Sequence, residues 1–150
     1  MSARLEMPLT LKLEVRSDPQ VLSVVRSAVQ QLAAVAGFDD RDCRLITLAV
    51  DEAMANIIRH AYNGRTDRPI ELSCRRRNNQ LEFLLVDHGK SVPRKKIRSR
   101  ALEEVRPGGL GVHLIKEIMD SVRYEPRPSG NHLRLVKRVP KRARGDNPCR

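Results

Sequence analysis

Ala49-Val50-Asp51-Glu52-Ala53-Met54-Ala55-Asn56-Ile57-Ile58-Arg59-His60-Ala61-Tyr62 runs directly into Asn63-Gly64. Ile46, Ala49, Ala53, Ile57 and Ala61 recur at three- and four-residue steps, the spacing of one buried helix face. Asn63-Gly64 supplies a left-handed stop, so a helix is expected from Asp39 or Asp40 to Tyr62. Beside that stripe, Glu52 and Asn56 lie four residues apart and project over the same turn. Their ordinary reading is a pair of solvated flanking side chains. Their chemical reading is that a carboxylate can take a proton from an attacking hydroxyl while an amide oxygen one turn on ligates Mg²⁺. Asp51 faces about 100° away from Glu52 and is read as structural.

Upstream, Leu11, Leu13 and Val15 alternate with Lys12, Glu14 and Arg16, the period of a half-buried strand. Asp18 is a plausible helix cap with Pro19 in the first helical position, and Val21, Val24, Val25, Ala28, Leu32 and Val35 follow at helical steps as far as Gly37. Downstream, Ile70, Leu72 and Cys74 alternate, Asn78-Asn79 forms a turn, and Leu81, Phe83 and Leu85 alternate on the return, which predicts an antiparallel pair. Residues 84–86 are apolar on both faces, which places the second strand mid-sheet. A long basic loop reaches Gly109, a third helix is expected from about Leu110 to Asp120, and short strands at Val122–Glu125 and His132–Val139 close the chain. The order β-α-α-β-β-loop-α-β-β fits an α+β, two-layer sandwich with helices on one face of a mixed, mostly antiparallel sheet.

The chain has 150 residues, a size for one domain, expected over residues 1–139 with a basic, disordered tail at 140–150. No apolar run reaches the roughly 18 residues of a membrane span and the first residues lack a signal-peptide core, so a cytoplasmic protein with no membrane partner is expected. Cys43, Cys74 and Cys149 are widely spaced and read as reduced thiols. The formal charge of +11 raises nucleic acid as a partner. The basic clusters Arg75–Arg77, Arg94–Arg100 and Lys137–Arg150 are not interleaved with aromatic residues, however, and direct nucleic-acid binding is disfavoured.

Two further features bear on chemistry. Asp87 ends the predicted central strand with Gly89 two residues on. A carboxylate there can accept from an exocyclic amine such as adenine's, and glycine lets a flat base approach; the ordinary alternative is a strand-ending turn. Gly89-Lys90-Ser91 is not a P-loop, because position 84 is Leu and Pro93 obstructs the helix that must follow. Gly108-Gly109-Leu110-Gly111 precedes the helix carrying Val112, Leu114, Ile115 and Ile118, where free N–H groups and the helix dipole favour phosphate. It is not the dinucleotide fingerprint, since counting G-x-G-x-x-G from Gly109 reaches Leu114.

In this order the pieces resemble one family. Residues 49–62 look like the N box of the GHKL ATPases, the superfamily that takes in gyrase and the histidine kinases, and within it they are most similar to the stand-alone anti-sigma-factor serine/threonine kinases of bacteria. Val86-Asp87-His88-Gly89 is similar to the adenine-binding box, Gly108 to Ile115 to the second glycine box, and Gly130-Asn131 with Leu133 to Lys137 to the closing strand, so that the resemblance covers about residues 10–139. It implies Glu52 as general base, Asn56 on Mg²⁺, and Asp87 on the adenine amine with Gly89 beneath the base. It also implies a phosphate cradle at Gly108, Gly109, Leu110, Gly111 and Val112 under a lid of residues 90–107. Asn131 would lie at the nucleotide, in the place of a threonine of the family, and Lys90-Ser91 replaces a second glycine.

The function implied is an ATP- and Mg²⁺-dependent serine/threonine protein kinase and anti-sigma factor that phosphorylates an anti-sigma-factor antagonist and sequesters a sigma factor, as a homodimer. The alternative is a nucleotide-dependent partner switch without phosphotransfer. A sensor histidine kinase is disfavoured because His60, His88, His113 and His132 all lie among the motifs rather than on a helix before them.

Overall fold

The structure is a computed structural model and describes residues 9–91 and 109–141. Most of the expected lid, Gly108 and the tail beyond Lys141 lie outside the described residues. Strand β1 (Thr10–Arg16) leads through a single 3₁₀ turn (Pro19–Val21) into α1 (Leu22–Ala36). Asp18 caps the turn, its side chain accepting from the Gln20 amide at 3.0 Å, and Gly37 ends α1 in the left-handed region at φ 107°. Helix α2 (Asp40–Asn56) is capped by Asp39, which accepts from the Asp42 amide at 2.8 Å.

The long helix expected to reach Tyr62 does so in two pieces. Its α-helical part stops at Asn56, and Ile57–Ala61 form a π turn in which the Tyr62 amide donates to the Ile57 carbonyl at 3.0 Å. Asn63 (φ 50°) and Gly64 (φ 78°) then stop it, and the Gly64 amide donates back to the Ile58 carbonyl. Such widened turns recur at functional sites because they re-aim the residues on either side.

Strands β2 (Pro69–Arg77) and β3 (Gln80–Asp87) form the expected hairpin around Asn78, whose φ is 54°. Helix α3 (Gly109–Ile118) follows, then β4 (Ser121–Arg127) and β5 (Gly130–Arg138). The sheet order is β1-β2-β3-β5-β4, and all four pairs are antiparallel, so the sheet has no parallel pair among the described residues. β3 is its central strand, in keeping with its apolar end.

Ile70, Leu72, Cys74, Leu81, Phe83, Leu85 and Leu135 point from the sheet into a core completed by Val25, Val29, Ile46, Val50 and Met54 from α1 and α2. The helices cover this one face; the other carries charge, including Glu82 between Arg75 and Arg134. Val24 and Val35, assigned by periodicity to the apolar stripe of α1, are instead 61% and 68% exposed. Both fall on the solvent side of the helix, away from the stripe of Val25, Val29, Leu32 and Ala36 that meets the core. No helix among the described residues is long and apolar enough to cross a membrane.

Candidate active site

The last turn of α2 carries Glu52 and Asn56 on its half-buried flank, and helix α3 packs against α2. The contact is close at Gly111. A Cβ built there would meet Glu52 Oε2 at 2.7 Å, with the Asn56 side-chain amide at 3.5–3.7 Å. The first turn of α3 therefore opens onto the carboxylate–amide pair, and the amides that begin a helix lack intrahelical partners. Only glycine at position 111 leaves room for that approach. Val112 is half-buried in the same turn.

Arg59, one turn beyond Asn56, donates from Nη2 to Asn56 Oδ1 at 3.2 Å and lies 3.9 Å from Glu52 Oε2. Sequence reading quoted this residue without giving it a role; its three-residue step from Asn56 on a helix was the available signal. Asp51, read as structural, pairs with Arg26 of α1 at 3.0 Å.

The second cluster forms at the end of β3. Asp87 is 4% exposed, and its Oδ1 accepts from the Gly89 amide and from Asn131 Nδ2, both at 2.9 Å. Asp87 and Asn131 face each other across the β3–β5 ladder, so strand register makes this pair. Oδ2 of Asp87 accepts no hydrogen bond among the described residues. Gly130, at φ 134°, lets the β4–β5 turn press against the Asp87 carbonyl, which a Cβ would approach to 2.9 Å.

The two clusters are joined by the π turn. The Tyr62 hydroxyl donates to the Pro69 carbonyl at 2.6 Å and accepts from the His88 amide at 2.8 Å, and the Lys90 amide donates to the Ala61 carbonyl at 2.9 Å. At Gly89 a Cβ would sit 2.4 Å from the Ala61 carbonyl oxygen. This backbone approach of the π turn by itself demands glycine at position 89. Burial of Tyr62 pushes its phenol pKa up, opposed by the hydrogen bond from His88.

Cys74 is fully buried in β2, and burial raises its thiol from 9.0 to about 12. Burial, then Asp40 and the neighbouring Asp39 and Asp42, raises Cys43. Both stay protonated and unreactive at neutral pH.

The fold thus sets a carboxylate–amide pair against a glycine helix start and ends its central strand on a buried aspartate. Residues 15–137 match the histidine kinase-like ATPase domain, and the chain belongs to that family. Its similarity within the family is to kinases: the serine-protein kinase RsbW of Halalkalibacterium halodurans is 30% identical over 89% of this chain and 86% of its own length. The serine/threonine-protein kinase BtrW of Bordetella bronchiseptica is 30% identical over 81% of this chain and 93% of its own. Among solved structures, the RsbU and RsbW domains of a Mycobacterium tuberculosis protein share the fold at a TM-score of 0.66 and 17% identity, covering 93% of this chain and 35% of that longer one.

Proposed function

We propose that the chain is an ATP-dependent serine/threonine protein kinase of the anti-sigma-factor type, which phosphorylates an antagonist protein and sequesters a sigma factor as a homodimer. The observation that carries the catalytic part is the approach of Gly111 to Glu52 and Asn56, which brings the start of α3 to a potential base and a potential metal ligand. The residues fit the nucleotide: Asp87 Oδ2 has no partner among the described residues, and α3 begins against Glu52 and Asn56 with the amides of its first turn lacking intrahelical partners. They also fit Mg²⁺ held by one amide oxygen together with phosphates and water, which needs no carboxylate cluster; there is none among the described residues.

In this reading Asp87 binds the base amine, and the amides of Gly109 to Val112, with Gly108 before them, hold phosphate oxygens. Asn56, whose Oδ1 accepts from Arg59, would hold Mg²⁺ through that amide oxygen. When bound, Mg²⁺-ATP supplies the transferable γ-phosphoryl group and a stabilised leaving group, ADP. Glu52 takes the proton of the attacking serine or threonine hydroxyl as the new oxygen–phosphorus bond forms and the bond to the bridging oxygen breaks.

The test is to co-purify the chain with its native partners and incubate them with ATP labelled at the γ-phosphate. Label is expected on a serine or threonine of the antagonist. Glu52→Gln should lower transfer by about 10²–10⁴ with nucleotide affinity nearly unchanged. ATP binding without any transfer by the wild type would favour a partner switch without chemistry.

A further inference from the structure

Asn131 has no capacity left for donating to a nucleotide. Both hydrogens of its side-chain amide are spent inside the protein, one on Asp87 Oδ1 at 2.9 Å and one on the Gly89 carbonyl at 3.1 Å. Its Oδ1 accepts from the Ser91 hydroxyl at 2.6 Å. The orientation of the amide follows from its neighbours, because the opposite placement would set its oxygen against a carboxylate and a carbonyl, which can only accept. The residue is 2% exposed, so each of these bonds is costly to lose.

We infer that Asn131, buttressed by Ser91, is a positioning residue that sets base specificity by fixing the Asp87 carboxylate. With the Gly89 amide, it saturates Oδ1 with two donors, which leaves Oδ2 as the oxygen able to receive a ligand hydrogen. A carboxylate oxygen left open in this way accepts a hydrogen and offers none. The site would therefore select a base presenting an amine and reject one presenting a carbonyl at the same place. Ser91 acts one bond further out, holding the Asn131 amide against rotation.

This inference rests on the proposed nucleotide reading, and the test separates the two. Calorimetry would compare ATP with purine riboside triphosphate, which has the same phosphates and ring but lacks the exocyclic amine. The wild type is expected to prefer ATP by on the order of tenfold or more, the worth of a hydrogen bond to a charged group. In Asn131→Ala that preference should shrink at least about fivefold, and in Ser91→Ala, at an exposed position safe for folding, about twofold. Asn131→Thr, which keeps a hydroxyl donor, should recover part of the preference. A merely structural role would weaken both ligands equally and leave their ratio unchanged, and an unchanged ratio in both Asn131→Ala and Ser91→Ala overturns the inference. Should Asn131→Ala fail to fold, Ser91→Ala and Asn131→Thr decide. A wild type with no preference for ATP would instead remove the base-recognition reading on which the inference stands.

Discussion

At position 111 a single methyl group separates two outcomes. Gly111→Ala places a Cβ 2.7 Å from Glu52 Oε2, the mobile end of a partly exposed side chain, which can swing aside at little cost to folding. Stability should therefore change by less than about 1 kcal/mol, while phosphotransfer falls steeply because the displaced carboxylate no longer meets the hydroxyl. Paired urea denaturation and kinase assays on one preparation would check this, and a variant that keeps full activity would detach Glu52 from the chemistry. The pH response also belongs to single residues. Burial favours the neutral forms of Cys74 and Tyr62, so their folded pKa values lie above the unfolded ones. Their contribution is complete below about pH 9 and is lost as pH rises, for Cys74 towards about 12. Urea midpoints measured from pH 7 to 11 should fall above pH 9, and Cys74→Val should flatten the fall.

Among the elements, the π turn is the joint between the two halves of the site. Gly89→Ala would drive a Cβ into backbone rather than into a flexible side chain, since the Ala61 carbonyl lies 2.4 Å away. A cost of about 1–3 kcal/mol or more is expected. Tyr62→Phe leaves the Pro69 carbonyl and the His88 amide without their partner and should cost about 1–3 kcal/mol. Chemical denaturation measures both, and an unshifted Tyr62→Phe midpoint would show that these bonds do not hold the joint. The elements themselves were largely legible: Leu11 to Val15 carries a strand period, and Asp39, Gly37 and Asn63-Gly64 mark helix ends through local chemistry. The π turn was not, because Ile57 and Ala61 continue the apolar spacing of α2 and one inserted residue leaves no mark on a four-step pattern. Glu52, Asn56 and Asp87 could be picked out by residue type and position. The occupation of Asn131 could not, since it depends on β5 lying beside β3, a pairing that local sequence does not encode.

For the molecule as a whole, the charge of +11 has to be weighed against where it sits. In the Arg75–Arg77 cluster, Arg75 is paired with Glu82 on the open sheet face, and the Val139 amide closes onto the Asn79 carbonyl at 2.7 Å. Among the described residues, no group of the candidate site comes from beyond Asn131. Removing residues 142–150 should thus leave nucleotide affinity and phosphotransfer within about twofold, well under 1 kcal/mol. Binding to duplex or single-stranded DNA at about 0.15 M salt should be weak with or without them. Tight DNA binding indifferent to ATP and abolished by the truncation would give the tail a separate role.

The strand order β1-β2-β3-β5-β4 governs how fast such a site can come into being. The hairpins β2–β3 and β4–β5 close over short turns, events of about 1–10 μs, but Asp87 and Asn131 meet only when those two hairpins dock along β3 and β5. β1 must likewise wait for the whole stretch from Ser17 to Arg68, both helices included, before it finds β2. Non-local closures of this kind set the rate of folding. A chain emerging from the ribosome thus acquires its helices and turns well before it acquires the Asp87–Asn131 pair, which waits for both hairpins to be complete.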